Sequence, residues 1–165
     1  MENILKRMSV IKVLIFDVDG VLTDGSLYVL PDGKYMRKMN IKDGYSLRVA
    51  SEKGFLVAII SGAKQEGVEA RLKGLKIQHV FTGALNKKET YEQLKESCSF
   101  KDEEVLFMGD DMLDVEMIKT AGIGCCPADA CTDALEIADY ISQKKGGDGC
   151  VRDVIEKVMK IQGKW

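Results

Sequence analysis

The chain has 165 residues, enough for one domain with a well-buried core. Its 24 Lys and Arg against 26 Asp and Glu leave a net charge of −2, without the cationic footprint of a nucleic-acid binder. No apolar run approaches membrane-spanning length, and residues 1–11 mix charges with single apolar residues rather than forming a secretory leader.

In chain order, residues 11–16 (IKVLIF) predict a buried strand that ends at Asp17. Residues 27–30 and 35–39 flank Pro31-Asp32-Gly33, the composition of a hairpin turn. A helix is expected over 43–53 and closed by Gly54, followed by a second buried strand over 55–60 (FLVAII). A helix over 65–73, a short strand over 78–81 and a helix over 87–97 come next. Then follow a strand over 105–108, a helix over 113–120, brief strands at 123–125 and 140–141, and an amphipathic helix over 150–161.

Strands alternating with helices imply parallel β-α-β units, hence an α/β fold: a doubly wound, Rossmann-like parallel sheet with helices on both faces and a hairpin after the first strand. The five cysteines (Cys98, Cys125, Cys126, Cys131 and Cys150) are odd in number and form no CxxC pair. The sole histidine, His79, is remote from them, so they read as free thiols in a reducing compartment, and His79 as structural.

In such sheets ligands bind beyond the carboxyl ends of the strands. After the first strand stands DVDGVLTDG, with Asp17 and Asp19 one residue apart; after the second stands Ser61-Gly62; after the strand over 105–108 stands GDDMLD. Asn86-Lys87 opens a helix at the same edge. Converging there, these tips would gather at least three carboxylates, a hydroxyl and an ammonium group. That inventory suits a hard, oxygen-ligated cation such as Mg²⁺ with an anion bridging metal and lysine. A phosphoryl group in transfer is such an anion, and Mg²⁺, Lys87 and Ser61 can stabilise its equatorial oxygens. Asp17, at the strand end, is the candidate nucleophile, forming an acyl phosphate. Asp19 would protonate the leaving alkoxide and then deprotonate the attacking water. Taken singly, each acid could equally be a helix cap or turn residue, Asp111 and Asp114 especially.

The DVDGVLTDG run, Ser61, Lys87 and the GDDMLD run resemble the four signature motifs of the haloacid dehalogenase superfamily of phosphatases. NIKDGY, ISG, Asn86-Lys87 and KKGGDGCVRD further resemble the capless 3-deoxy-D-manno-octulosonate 8-phosphate (KDO 8-phosphate) phosphatases. The resemblance implies a single phosphatase domain over 1–165, with a hairpin over about 26–39 and a tail over about 144–165. It implies Mg²⁺ held by the carboxylates of Asp17 and Asp110 and the carbonyl of Asp19, supported by Asp111 or Asp114. Ser61, Gly62 and Lys87 would bind phosphate, and Thr23, Arg71 and Arg152 the sugar acid. A cytoplasmic homotetramer whose neighbouring subunits complete each active site, serving lipopolysaccharide precursor synthesis, is also implied, with neither nucleic acid nor membrane as partner.

One departure bears on substrate. Relatives acting on nine-carbon sugar acids resemble one another in a Glu after the Ser-Gly pair and a Lys three residues beyond the Arg71 position. This chain has Ala63 and Gly74 there, which favours the eight-carbon sugar acid and leaves the nine-carbon one as the alternative. A phospho-acceptor receiver domain would place its acceptor after a later strand, and a retired scaffold would not need every motif residue. Only 41 residues separate Asp19 from Ser61 and 25 separate Ser61 from Lys87, too few for a cap domain. The glycine-rich segment 146–149 reads either as a gate or as a linker, Trp165 as a docking anchor, and Lys34, Arg37, Lys38 and Lys42 as a basic patch able to attract an anionic substrate.

Overall fold

In the computed structural model, which describes residues 3–64 and 66–165, six parallel strands form the central sheet. In chain order these are β1 (Val13–Phe16), β4 (Leu56–Ile60), β5 (His79–Phe81), β6 (Val105–Met108), β7 (Ile123–Cys126) and β8 (Tyr140–Ile141). Their spatial order is β5-β4-β1-β6-β7-β8, so β1 lies between strands reached in opposite directions along the sheet. The remaining two strands, β2 (Tyr28–Val29) and β3 (Tyr35–Met36), make the antiparallel hairpin.

Side-chain alternation divides the sheet cleanly. Leu14, Phe16, Val57, Ile59, Leu106 and Met108 face one apolar core. Val13, Ile15, Ala58, Ile60, Val105 and Phe107 face the other. Both faces are therefore covered, which is why these strands read as unbroken apolar runs. On the first face lie α1 (Ile4–Ser9), α2 (Ile41–Glu52), α3 (Glu66–Gly74) and α7 (Cys150–Ile161); on the second lie α4 (Lys87–Cys98), α5 (Val115–Thr120) and α6 (Thr132–Ile137).

The predicted elements and the observed ones differ mainly at their ends. Gln65, where the predicted second helix begins, lies outside the described residues, and that helix, α3, runs on through Gly74. The helix predicted from 113 is a 3-10 turn over Met112–Asp114 that leads into α5. The sequence reading contains neither α1 nor α6, both of six residues and too short to show a periodicity.

Helix α7 depends on a residue distant in sequence. Its N-cap is Gly149, which has no side chain to offer the first-turn amides. Asp43, fully buried in the first turn of α2, supplies the acceptor: its Oδ1 takes the Arg152 N–H at 2.7 Å, and the Gly149 amide also bonds to this carboxylate. Its Oδ2 is buried without a partner, and burial pushes the carboxyl up to about 6. Asp43→Ala is expected to cost about 2 kcal/mol in denaturant unfolding by orphaning the half-buried Arg152 amide at the start of α7. Asp43→Asn, which keeps an acceptor oxygen and removes the charge, should leave stability nearly unchanged.

Candidate active site

The register brings the acidic loops together. Phe16 pairs with Met108, and the Asp17 N–H donates to the Met108 carbonyl at 3.0 Å, so the chain leaves β1 and β6 side by side. Asp17, Asp110 and Asp114 each direct a carboxylate oxygen into one cluster, all within 4.8 Å of one another. Lys87, placed at the start of α4 by the Asn86 cap (Oδ1 to Glu89 N, 3.1 Å), reaches into it. Its Nζ lies 2.9 Å from Asp17 Oδ2 and 2.6 Å from Asp114 Oδ1, with all three side chains buried. Asp114 Oδ2 also accepts from the Asp110 amide at 3.1 Å, which fixes the loop that carries Asp110.

Three carboxylates around one ammonium leave the cluster short of two positive charges when all are ionised. The shortage is visible in the side chains. Asp17 Oδ1 and Asp110 Oδ1 are buried with no hydrogen-bond partner. Burial first, and then the charge of Asp114, push Asp17 up to about 7 against the opposing pull of Lys87. Burial and the charges of Asp17 and Asp114 likewise raise Asp110 to about 7. Burial pulls the Lys87 ammonium down, but its two carboxylate partners outweigh this and hold it above its ordinary value. Two orphaned oxygens aimed into one acidic cluster fit a small divalent cation with oxygen ligands. Gly20 makes room for the arrangement: at φ +81° it sits where a Cβ would lie 2.0 Å from Asp110 Oδ2.

The other predicted site residues divide into two groups. Ser61, buried at the end of β4, is held by its N–H to the Phe81 carbonyl at 2.8 Å, with Gly62 half-buried beside it. Arg71, exposed on α3, lines an open cleft of about 760 Å³ between that helix and the hairpin. Lys34, Arg37 and Lys64 line the same cleft, where Glu66 is the one acid among the described lining residues. Asp19 meets the cleft through Arg37, whose Nε lies 2.6 Å from Oδ1 and whose Nη2 lies 3.2 Å from Oδ2.

Thr23, Arg152 and Asp111 are placed elsewhere. Thr23 is fully buried, and its hydroxyl accepts from the Gly20 and Gly25 amides, both at 3.3 Å, so it clamps the loop instead of facing the cleft. Arg152 packs against the rings of Tyr45 and Trp165, with centroids at 5.9 and 5.2 Å, and its Nε bonds Glu156. Asp111 is exposed and caps the 3-10 turn through Met112 N at 2.8 Å, leaving Asp114 as the second acid of that loop in the cluster.

The glycine-rich tail is docked, with the Gly147 N–H on the Val21 carbonyl at 2.9 Å. At φ +67°, a Cβ on Gly147 would lie 2.6 Å from the Asp24 amide, so only glycine lets the tail lie against this loop. Sequence reasoning missed Asp43 and Lys64 and read Arg37 only as part of a basic patch. Arg37 stands directly after β3, and its pairing with Asp19, 18 residues earlier, leaves no mark in the sequence.

The raised carboxyl of Asp110 makes a stability prediction. In metal-free protein the neutral form is favoured on folding, so the cost is absent below about pH 4 and grows to its full size above about pH 7. Asp110→Asn should therefore be more stable than the parent in chelator by about 2 kcal/mol above pH 7, the gap closing as the pH falls. Urea unfolding across this range reads it directly, and a pH-independent difference would contradict it.

Comparison with known proteins gives the chain a family. The haloacid dehalogenase-like hydrolase family profile matches residues 77–154. The 3-deoxy-D-manno-octulosonate 8-phosphate phosphatase KdsC of Escherichia coli K12 is 36% identical over 162 residues, 98% of this chain and 86% of that protein. The phosphatase of that name from Yersinia pestis superposes with a TM-score of 0.96 at 33% identity, covering 99% of this chain and 88% of the other. That from Moraxella catarrhalis, solved with a magnesium ion, a phosphate ion and KDO, gives 0.95 at 31% identity, covering 99% and 94%. With this likeness along nearly its whole length, the chain belongs to the KDO 8-phosphate phosphatase family of haloacid dehalogenase-like hydrolases and is a phosphatase.

Proposed function

We propose that this phosphatase hydrolyses KDO 8-phosphate to KDO and phosphate, with Mg²⁺ as its cofactor, in the cytoplasmic synthesis of lipopolysaccharide precursors. The observation that carries the reading is the Asp17–Asp110–Asp114 cluster, with Lys87 inserted and two carboxylate oxygens left unpartnered. The substrate comes from the names and bound molecules of the relatives, and Ala63 and Gly74 agree with the eight-carbon acid.

In this reading Asp17, Asp110 and the Asp19 carbonyl hold the cation, with Asp114 in support through Lys87. When bound, Mg²⁺ neutralises the carboxylates and withdraws charge from the phosphoryl oxygens. Lys87 and the hydroxyl of Ser61 hold the phosphoryl group, and Lys87 also aims the nucleophile through its contact with Asp17 Oδ2. Asp17 attacks phosphorus and the ester oxygen leaves, taking a proton from Asp19. Asp19 then removes a proton from the water that cleaves the aspartyl phosphate, and phosphate departs. Arg71 lies on the cleft where the sugar acid would extend.

A partner copy fits the same reading. A two-stranded hairpin is marginal alone, and Tyr28, Val29, Tyr35 and Met36 are all more than half exposed on this one. Packing of hairpins in a homotetramer would cover them and close the open cleft.

Two measurements test these proposals. Phosphate release from KDO 8-phosphate, a nine-carbon 9-phosphate and common sugar phosphates should be fastest on the first, vanish with chelator and fall by about 10³-fold or more in Asp17→Asn. A higher kcat/KM on the nine-carbon ester would transfer the assignment to that substrate. Sedimentation should give a tetramer that Tyr28→Lys with Val29→Lys breaks down with loss of activity; a fully active monomer would remove the partner from the mechanism.

A further inference from the structure

The hairpin carries a residue whose position makes sense only in relation to the acid it holds. Arg37 grips Asp19 side-on, Nε to Oδ1 at 2.6 Å and Nη2 to Oδ2 at 3.2 Å. Each oxygen of the proposed proton donor thus carries an N–H contact from Arg37, and Asp19 sheds that competition at a leaving alkoxide only by leaving this fork. Arg37 is itself largely buried, its side chain 10% exposed. Separated from Asp19 with nothing in exchange, it would become a poorly solvated charge facing Lys34, Lys64 and Arg71 across the cleft. The pair therefore opens at low cost only when another anion takes the place of Asp19.

The neighbouring residue reinforces the attachment. Lys38 Nζ lies 2.8 Å from Asp24 Oδ2, and the chain pairs with the acidic loop again at Thr23 and Met39. The hairpin is thus fastened to both ends of the loop that begins at Asp17, and a displacement of Arg37 is felt where the chemistry is proposed.

We infer that Arg37 is a specificity-determining residue: it exchanges its ion pair with Asp19 for a second anionic group, a carboxylate, on the leaving alcohol of the substrate. The inference rests on the assignment of Asp19 as proton donor and adds the class of ester that can engage it. A phosphate ester with an acidic alcohol portion draws Arg37 away and frees Asp19. An ester with a neutral alcohol portion leaves Asp19 in the fork. Discrimination then arises at the proton-transfer step as well as in binding, and from the same chain that supplies the nucleophile.

The test compares the parent, Arg37→Met and Arg37→Lys on KDO 8-phosphate and on p-nitrophenyl phosphate, whose leaving group departs without a proton. Arg37→Met is expected to lose about 10²-fold in kcat/KM on the sugar-acid ester. Its turnover of p-nitrophenyl phosphate, which still needs Asp19 to activate water, should rise because Asp19 is no longer held in the fork, and added guanidinium should restore only the sugar-acid activity. Arg37→Lys, which keeps the charge without the fork, should fall between. Equal losses on both substrates would make Arg37 a structural prop of the hairpin, and no loss on the sugar acid would leave recognition to other residues; either overturns the inference alone. Failure of the parent to hydrolyse either ester would instead overturn the phosphatase reading beneath it.

Discussion

An ammonium group buried between carboxylates is stable only if every partner arrives at a fixed position, because a misplaced charge in such a site is costly. Lys87 meets that condition through three separate parts of the fold. Asp17 is fixed by the end of β1, where its amide continues the ladder onto Met108. Asp114 is fixed within the loop after β6, with its second oxygen bound to the amide of Asp110. Lys87 itself begins a helix whose cap sets where the side chain enters. The parallel sheet, with β1 flanked by β4 and β6, is what makes these independent arrivals meet.

That meeting leaves the site under electrostatic tension. One ammonium cannot balance three carboxylates, and burial deprives them of water, so Asp17 and Asp110 are held near neutrality instead of in their ordinary ionised range. A cation relieves both conditions together. The same residues thus weaken the empty fold and strengthen the loaded one, a common relation between stability and function.

The strand ends were legible because each motif follows an apolar run, and a parallel sheet sends all such ends to one edge. Asp17, Ser61, Lys87 and the acids of GDDMLD as a group were accordingly identifiable from pattern alone. Which second acid of GDDMLD joins the cluster was not, since Asp111 and Asp114 differ by where a 3-10 turn begins. Thr23 and Arg152 show the converse problem. Each lies within a motif, yet one hydroxyl is consumed by the amides of its own loop and one guanidinium by the rings of Tyr45 and Trp165. Asp43 was invisible for a related reason: its hydrogen-bond partner is the Arg152 amide on α7, over a hundred residues away, and an amide leaves no mark in a sequence.

The hairpin brings these considerations together. The spacing of the motifs leaves no room for a cap domain, so control of the site must come from elements already present. A two-stranded ribbon is too small to be rigid by itself. Here it gains rigidity from charge, since Arg37 and Lys38 anchor it to Asp19 and Asp24, and its exposed apolar side chains remain available to a neighbouring copy. An attachment made of ion pairs differs from a packed apolar contact in one respect that matters for catalysis: a competing anion can displace it. A cap closes over its substrate by moving a domain, whereas this hairpin needs only to exchange one carboxylate for another.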